Sequence, residues 1–179
     1  RRDVRGLQID CARNFVSVEE LKKILEQMSL CKLNVFQWKL TDDQAWRVEI
    51  LRAPKLLELS SGGKYYTRDD VKDVVAFAKT RGIEVIPQVD LPGHVTALLH
   101  AYPQYSCYND KVELPDAGGL YAPILCAGYE GTYDFIDRIL EEVASLFPSK
   151  YFHVGGGVHV TTDWETCPVC HTKMEKEDL

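Results

Sequence analysis

The sequence lacks the features of several specialised classes of protein. No apolar segment approaches the ~20 residues that a membrane-spanning helix needs, and 6 cysteines in 179 residues are too few for a disulfide scaffold. Acidic residues (27) outnumber lysine and arginine (21), which gives a net charge of −6 at pH 7. Because nucleic-acid binding needs a basic surface, this balance argues against it. We expect neither a nucleic-acid partner nor a membrane segment.

The first residues also lack the apolar run of a signal peptide, so the sequence leaves the localisation open. The overall composition, 45% hydrophobic and 27% charged, is that of a soluble globular protein. The length suffices for one domain with its own core. We therefore expect residues 1–179 to form a single domain.

Strand-like segments alternate with amphipathic helical segments along the chain. Capping boxes, in which a side chain accepts from a free helix N–H, begin at Ser17 and Thr67 and predict two helices. A third helix is predicted over the apolar stripe 136–143, and a fourth opens at Thr162. The predicted strands are 7–10, 33–40, 83–86 and 151–154.

This alternation is typical of βαβ units, which form parallel sheets with right-handed crossovers. We predict an α/β fold, the parallel (β/α) half of a TIM barrel with about four βα units. A closed barrel of this type has eight strands. Open sheet edges are normally covered or paired, so we also expect self-association through the barrel edges.

Polar side chains follow each of the first three predicted strands, at the edge where active sites of βα-repeat folds lie. The chemistry-bearing residues there are Asp10, Arg13, Lys39, Thr41, Asp42, Asp43, Gln88, Asp90 and His94. Structural explanations compete with a functional one. Asp42 and Asp43 can cap a turn or helix, and His94 can be a turn residue bonded to a neighbouring strand.

One further motif, Cys167-Pro-Val-Cys170 followed by His171, is typical of half a zinc site or a redox pair. A structural zinc site needs four ligands, and no second CxxC motif completes this one. We therefore predict packed or paired cysteines here, with no metal and no cofactor.

Four segments resemble the family 20 β-N-acetylhexosaminidases: residues 5–15, 33–47, 83–94 and 151–156. The resemblance runs through nearly the whole chain. It implies a substrate-assisted mechanism, in which the sugar's own 2-acetamido oxygen attacks the anomeric carbon. An aspartate after the fourth strand orients the acetamide in this family, and the adjacent glutamate is the general acid/base. By the same resemblance, Arg5, Asp10, Asp90 and His94 bind the sugar.

The family's Asp-Glu pair falls on Gly157 and Val158. Valine cannot transfer a proton and glycine cannot orient an acetamide, so no catalytic pair is intact. The site departs from the family pattern elsewhere too. Gln37 and Lys39 replace the histidines of the second strand, and Gln88 replaces a glutamate before Asp90.

We therefore expect a β-N-acetylhexosaminidase-like half-barrel that has lost hydrolysis and retains weak N-acetylhexosamine recognition. Two alternatives remain open at this point. Residual glycosidase activity could use another acid among Glu130, Asp42 and Asp90. A non-enzymatic metal or small-ligand site could instead be built from His94, His153 and His159.

Overall fold

The computed structural model describes residues 2–157 and 160–178 of the chain. Its centre is a parallel sheet of four strands in the order β1-β2-β3-β4. The strands are β1 (Gly6–Asp10), β2 (Val35–Lys39), β3 (Glu84–Leu91) and β4 (His153–Gly155). Strands adjacent in sequence are adjacent in space, as successive right-handed βα units require. The predicted parallel α/β fold is confirmed.

Seven α-helices occur among the described residues, together with a 3₁₀ turn at Pro103–Tyr105. They are α1 (Val18–Leu30), α2 (Lys55–Ser60), α3 (Arg68–Lys79), α4 (Thr96–Ala101), α5 (Glu130–Ala144), α6 (Thr162–Thr166) and α7 (Pro168–Glu177). Both predicted capping boxes are present: Ser17 caps α1 with Glu20, and Thr67 caps α3 with Asp70. None of the described helices is long and apolar enough to cross a bilayer.

The main core lies between the sheet and the helices that follow its strands. Trp38 of β2 is fully buried, and its ring contacts Tyr66 at 4.6 Å and Phe147 at 6.3 Å between centroids. Alternate side chains of a strand point to opposite faces, so Phe36 and Trp38 face this core while Gln37 and Lys39 face the other side. The polar residues of the second strand are thereby directed to the inner side of the half-barrel.

Three departures from the sequence prediction have identifiable causes. Strand β3 continues past Pro87 to Leu91, because β4 pairs with it only at Gln88 and Leu91 and needs no N–H from the proline. The short helices α2 and α4 were not predicted, since neither has a side-chain cap. The fourth predicted helix is divided in two, because Pro168 starts a new helix at its first turn.

The outer strands leave apolar side chains exposed at both edges of the sheet. Leu7 on β1 is 37% exposed and Val154 on β4 is 48% exposed. In a closed barrel these strands would each have a second neighbour. The two edges are therefore the surfaces from which this sheet can be extended.

Candidate active site

The carboxyl ends of the four strands form one polar surface. Asp10 at the end of β1 is in register with Lys39 at the end of β2, and Lys39 is in register with Gln88 of β3. Gln88 is in turn the partner of His153 on β4. The structure thus brings together side chains that are separated by up to 143 residues in the sequence.

Lys39 is the centre of this surface. Its ammonium lies 2.7 Å from an oxygen of Asp90 and 3.8 Å from one of Asp10, and it forms a short contact with Asp42. Lys39 is 6% exposed, and Asp42 and Asp90 are 1% and 6% exposed. A buried charge needs partners of opposite sign. Here one cation contacts carboxylates that follow three different strands.

The protonation of Lys39 follows from the same contacts. Burial alone would lower its pKa, but hydrogen bonds to Asp42 and Asp90, and the negative charges of both, outweigh burial and raise the pKa above its ordinary value. A raised pKa of a cation means that its stabilising contribution is present at neutral pH. The contribution is lost only as the pH rises through that raised pKa.

Arg13 closes the network on the solvent side. Its guanidinium contacts Asp10 at 2.7 Å and Asp42 at 2.8 Å. Asp10 also accepts hydrogen bonds from the backbone N–H groups of Ala12 and Arg13, which fixes the turn after β1. The carboxylates of Asp10 and Asp42 are therefore committed to contacts within the protein.

Asp43 and His94 form a second pair beside this network. His94 Nδ1 lies 2.9 Å from Asp43 and 3.3 Å from Asp42. Asp43 also accepts from the backbone N–H and the hydroxyl of Thr96, the first residue of α4. These contacts fit the structural interpretation of both residues. Asp43 holds the start of a helix. His94, at φ 56°, is a turn residue hydrogen-bonded to an acid.

An amide network lines the inner face below Lys39. Gln8 and Gln37 each donate to the side-chain oxygen of Gln88, at 3.0 and 2.5 Å. Gln88 in turn donates to Asp90 at 2.6 Å. Two positions at which the sequence departs from the family pattern, Gln37 and Gln88, are therefore bonded to each other. The two amides therefore form one hydrogen-bonded unit with Gln8.

Three consecutive glycines begin at the last residue of β4. They differ in whether the backbone conformation at each position requires glycine. Gly155 and Gly156 have φ of +81° and +78°, a region that favours glycine. A Cβ on Gly155 would lie 2.9 Å from Asp90 Oδ1, so its absence lets β4 approach that acid. Gly157 has neither constraint, since a Cβ there meets no described atom within 4 Å.

Not every predicted site residue joins this surface. Arg5 precedes β1, at the amino end of the strands, and its guanidinium donates to the carbonyl groups of Lys32 and Arg2. The structure therefore brings together Asp10, Asp90 and His94 but leaves Arg5 at the opposite edge of the sheet. Val158 lies outside the described residues.

Of the first alternative, Asp42 and Asp90 lie together at Lys39 but Glu130 does not, and the histidines of the second alternative are not grouped among the described residues. Glu130 is at the start of α5, where it pairs with Lys173 of α7 at 2.9 Å. His153 accepts a hydrogen bond from the Gly155 N–H at 3.0 Å. Within residues 2–157 and 160–178, no metal-compatible group contains both His94 and His153. His159 lies outside the described residues.

The structure brings to the CxxC motif the two further cysteines that the spacing argument did not find. Cys107 and Cys126, which belong to no motif, lie beside Cys167 and Cys170, and the four sulfur atoms are all within 4.8 Å of one another. Sequence spacing did not predict this cluster, because two of its members come from an irregular loop. A signal for it was present in the sequence, since four of the six cysteines lie beyond residue 106.

Comparison with known proteins agrees with this geometry. Residues 3–179 match the family described as glycosyl hydrolase family 20, catalytic domain. The chain belongs to this family. A β-hexosaminidase of Porphyromonas gingivalis is 40% identical over 98% of the chain, and the match covers 24% of that relative. The chain thus spans about a quarter of the length of this family 20 protein.

Solved family 20 structures superpose closely. The Flavobacterium johnsoniae chitobiase has a TM-score of 0.95 at 38% identity, covering 98% of this chain and 27% of that one. A Vibrio harveyi exo-β-N-acetylglucosaminidase has a TM-score of 0.85 at 35% identity, covering 98% of this chain and 30% of that one. The latter was solved as an inactive mutant with one aspartate changed to alanine, and also in complex with N-acetylglucosamine.

The Lys39 network predicts a large loss of stability for Lys39→Met. This change keeps the length of the side chain but leaves the buried carboxylates of Asp42 and Asp90 without their cation. Removing one partner of a buried ion pair costs about 3–5 kcal/mol. Urea unfolding should show this loss in the free energy of unfolding, whereas the exposed Lys23→Met control should lose well under about 1 kcal/mol. Equal, small losses in both variants would contradict the network.

Proposed function

We propose that this chain is a β-N-acetylhexosaminidase-like half-barrel that has lost hydrolysis and retains weak recognition of N-acetylhexosamines. The proposal is carried by the end of β4. Gly157 and Val158 come directly after that strand in the sequence. By the resemblance, they fall where the family has its aspartate and glutamate. General acid/base catalysis contributes typically ~10²–10⁴-fold, and neither side chain can supply it.

The remaining carboxylates offer no evident substitute. A general acid must hold a proton and present it to the leaving group. Asp42 and Asp90 instead accept from Lys39, and Asp43 accepts from Thr96. Glu130 is exposed and paired with Lys173, on helices rather than at the strand ends. Residual hydrolysis through another acid would first have to break one of these contacts.

Lys39 gives a second reason for impaired chemistry. It stands where the resemblance places a histidine, and its ammonium lies 2.7 Å from Asp90. A substrate hydroxyl that sought Asp90 would compete with a charge-assisted contact that is already formed. The polar groups of the pocket therefore already have partners in the absence of a sugar, which is consistent with weak binding.

Restoring the acid pair provides the direct test. Gly157 tolerates aspartate, because its backbone is outside the left-handed region and a Cβ there has space. We expect the Gly157→Asp/Val158→Glu variant to hydrolyse a chromogenic N-acetylglucosaminide at least ~100-fold faster than the unmodified chain. The measurement is the release of the chromophore at equal protein concentrations.

A matched control places the same two acids elsewhere. Gly118→Asp/Gly119→Glu adds them to a loop exposed to solvent, and should leave the rate unchanged. The reciprocal Gly-Val replacement in the V. harveyi enzyme tests the same pair within a longer chain. Retention of full activity by that replaced enzyme would contradict the proposal.

Weak sugar recognition is expected at Asp90 and His94. The chain provides part of a pocket, and affinity depends on how much of a ligand is buried. We predict a dissociation constant for N-acetylglucosamine on the order of 1 mM or weaker, measured by NMR titration. Asp90→Asn should weaken it further, while Arg5→Ala, at the opposite edge, should not. Binding that Arg5→Ala abolishes and Asp90→Asn leaves intact would contradict this assignment.

Self-association through the sheet edges is the last part of the proposal. Exposed apolar side chains at both edges, Leu7 and Val154, favour pairing with further strands. Sedimentation velocity should show a concentration-dependent dimer that Leu7→Lys/Val154→Lys shifts to monomer. The control Leu30→Lys alters an equally apolar side chain, 72% exposed on α1. A monomer at every concentration would contradict self-association.

A further inference from the structure

Four cysteines that take no part in the candidate active site converge at one place. Cys107 follows the 3₁₀ turn, and Cys126 is held beside it by a hydrogen bond from its N–H to the Tyr105 carbonyl at 2.8 Å. Cys167 and Cys170 flank the start of α7. Cys126, Cys167 and Cys170 are at most 3% exposed. Three separate chain segments thus deliver four thiols to one buried point.

The spacing of the sulfur atoms is that of a tetrahedral metal site. Cys170 Sγ lies 3.8 Å from Cys107 Sγ and 3.6 Å from Cys126 Sγ. Zinc–sulfur bonds of ~2.3 Å in a regular tetrahedron separate the sulfurs by ~3.8 Å along each edge. A disulfide would instead bring two sulfurs to ~2.05 Å. All of these cysteines are free thiols in the structure.

The backbone beside Cys170 donates a hydrogen bond to its sulfur atom, as is usual for the ligands of a metal site. The Gly128 N–H donates to Cys170 Sγ at 3.3 Å. A Cβ on Gly128 would lie 2.4 Å from the backbone of Val169 and Cys170, so only glycine allows this approach. Hydrogen bonds to ligand atoms orient them and are a regular part of metal sites.

The C-terminal helices bury few side chains. Cys170 is the single buried residue of α7, and α6 has none. A helix that packs on a core normally does so through an apolar stripe. The cysteines instead form a small core of their own with Ala127 and Trp164, separate from the main one. A metal ion bound at Cys170 would therefore add to polar contacts such as the pair between Lys173 and Glu130.

We infer that Cys107, Cys126, Cys167 and Cys170 bind one structural zinc ion. Binding converts four thiols into thiolates and releases four protons, so that the divalent cation and its ligands carry a net charge of −2. Four protein ligands leave no open position, which makes the site structural rather than catalytic. Nothing in this inference depends on whether the chain hydrolyses or binds sugars.

The site also connects to the candidate active site. Leu125, next to the ligand Cys126, donates its N–H to the Pro92 carbonyl at 3.1 Å. Pro92 belongs to the turn that carries His94. Zinc would thereby fix the loop that supports this turn, in addition to anchoring α7.

Metal content is the first test. The chain, purified without chelator, incubated with zinc and desalted, should contain one zinc per molecule by elemental analysis. Replacement by Co²⁺ should give the intense visible absorption of a tetrahedral thiolate complex. Cys126→Ser should lose both signals, whereas Cys31→Ser, at the exposed end of α1, should keep them. Absence of zinc from the unmodified chain, or binding of iron in its place, would overturn the assignment.

Thiol counting remains decisive even if Cys126→Ser fails to fold. In the native zinc-bound protein only the exposed Cys31 should react with an alkylating reagent, because Cys11 is fully buried and the four cluster thiols are bound to zinc. A chelator should make the four cluster thiols reactive, and all six thiols should react after denaturation with chelator but without reductant. The chelator should also lower the melting temperature of the unmodified chain. Two reactive thiols under denaturing, non-reducing conditions would reveal two disulfides and overturn the proposal. Alkylation of the cluster thiols in the native zinc-treated protein without chelator would do the same.

Discussion

The ammonium of Lys39 is the interaction on which the carboxyl edge of the sheet depends. It bridges Asp42 and Asp90, which are buried, and lies 3.8 Å from Asp10. Without a cation these acids would repel one another in a site that water hardly reaches. Lys39 therefore holds the ends of β1, β2 and β3 together. The arrangement stabilises the fold and commits these acids to contacts within the protein.

At the end of β4 the backbone requires glycine at some positions and not at others. Gly155 must be glycine, since a Cβ would collide with Asp90, and the positive φ of Gly156 favours glycine. Gly157 meets no such demand. The backbone around Gly157 therefore leaves room for a larger side chain. Gln37 and Gln88 hydrogen-bond to each other on the inner face of the sheet.

The fold was largely predictable, because its signals are local. Capping boxes at Ser17 and Thr67 fixed the starts of α1 and α3, and alternating hydrophobicity located the strands. The site was predictable only in part. Residue type and strand position indicated Asp10, Asp90 and His94, but the bridging role of Lys39 depends on strand register. The cysteine cluster was missed because tertiary structure, not spacing, brings Cys107 and Cys126 to the CxxC motif.

The central claim is that this family 20 chain has no functioning proton donor at its strand ends. The most direct measurement is the rate at which the unmodified chain, loaded with zinc, releases chromophore from a chromogenic N-acetylglucosaminide, compared with buffer alone from acidic to neutral pH. We predict that chromophore release by the chain is indistinguishable from release in buffer at every pH. A clear enzyme-dependent rate that disappears in Asp90→Asn or Asp42→Asn would contradict it and identify the acid responsible.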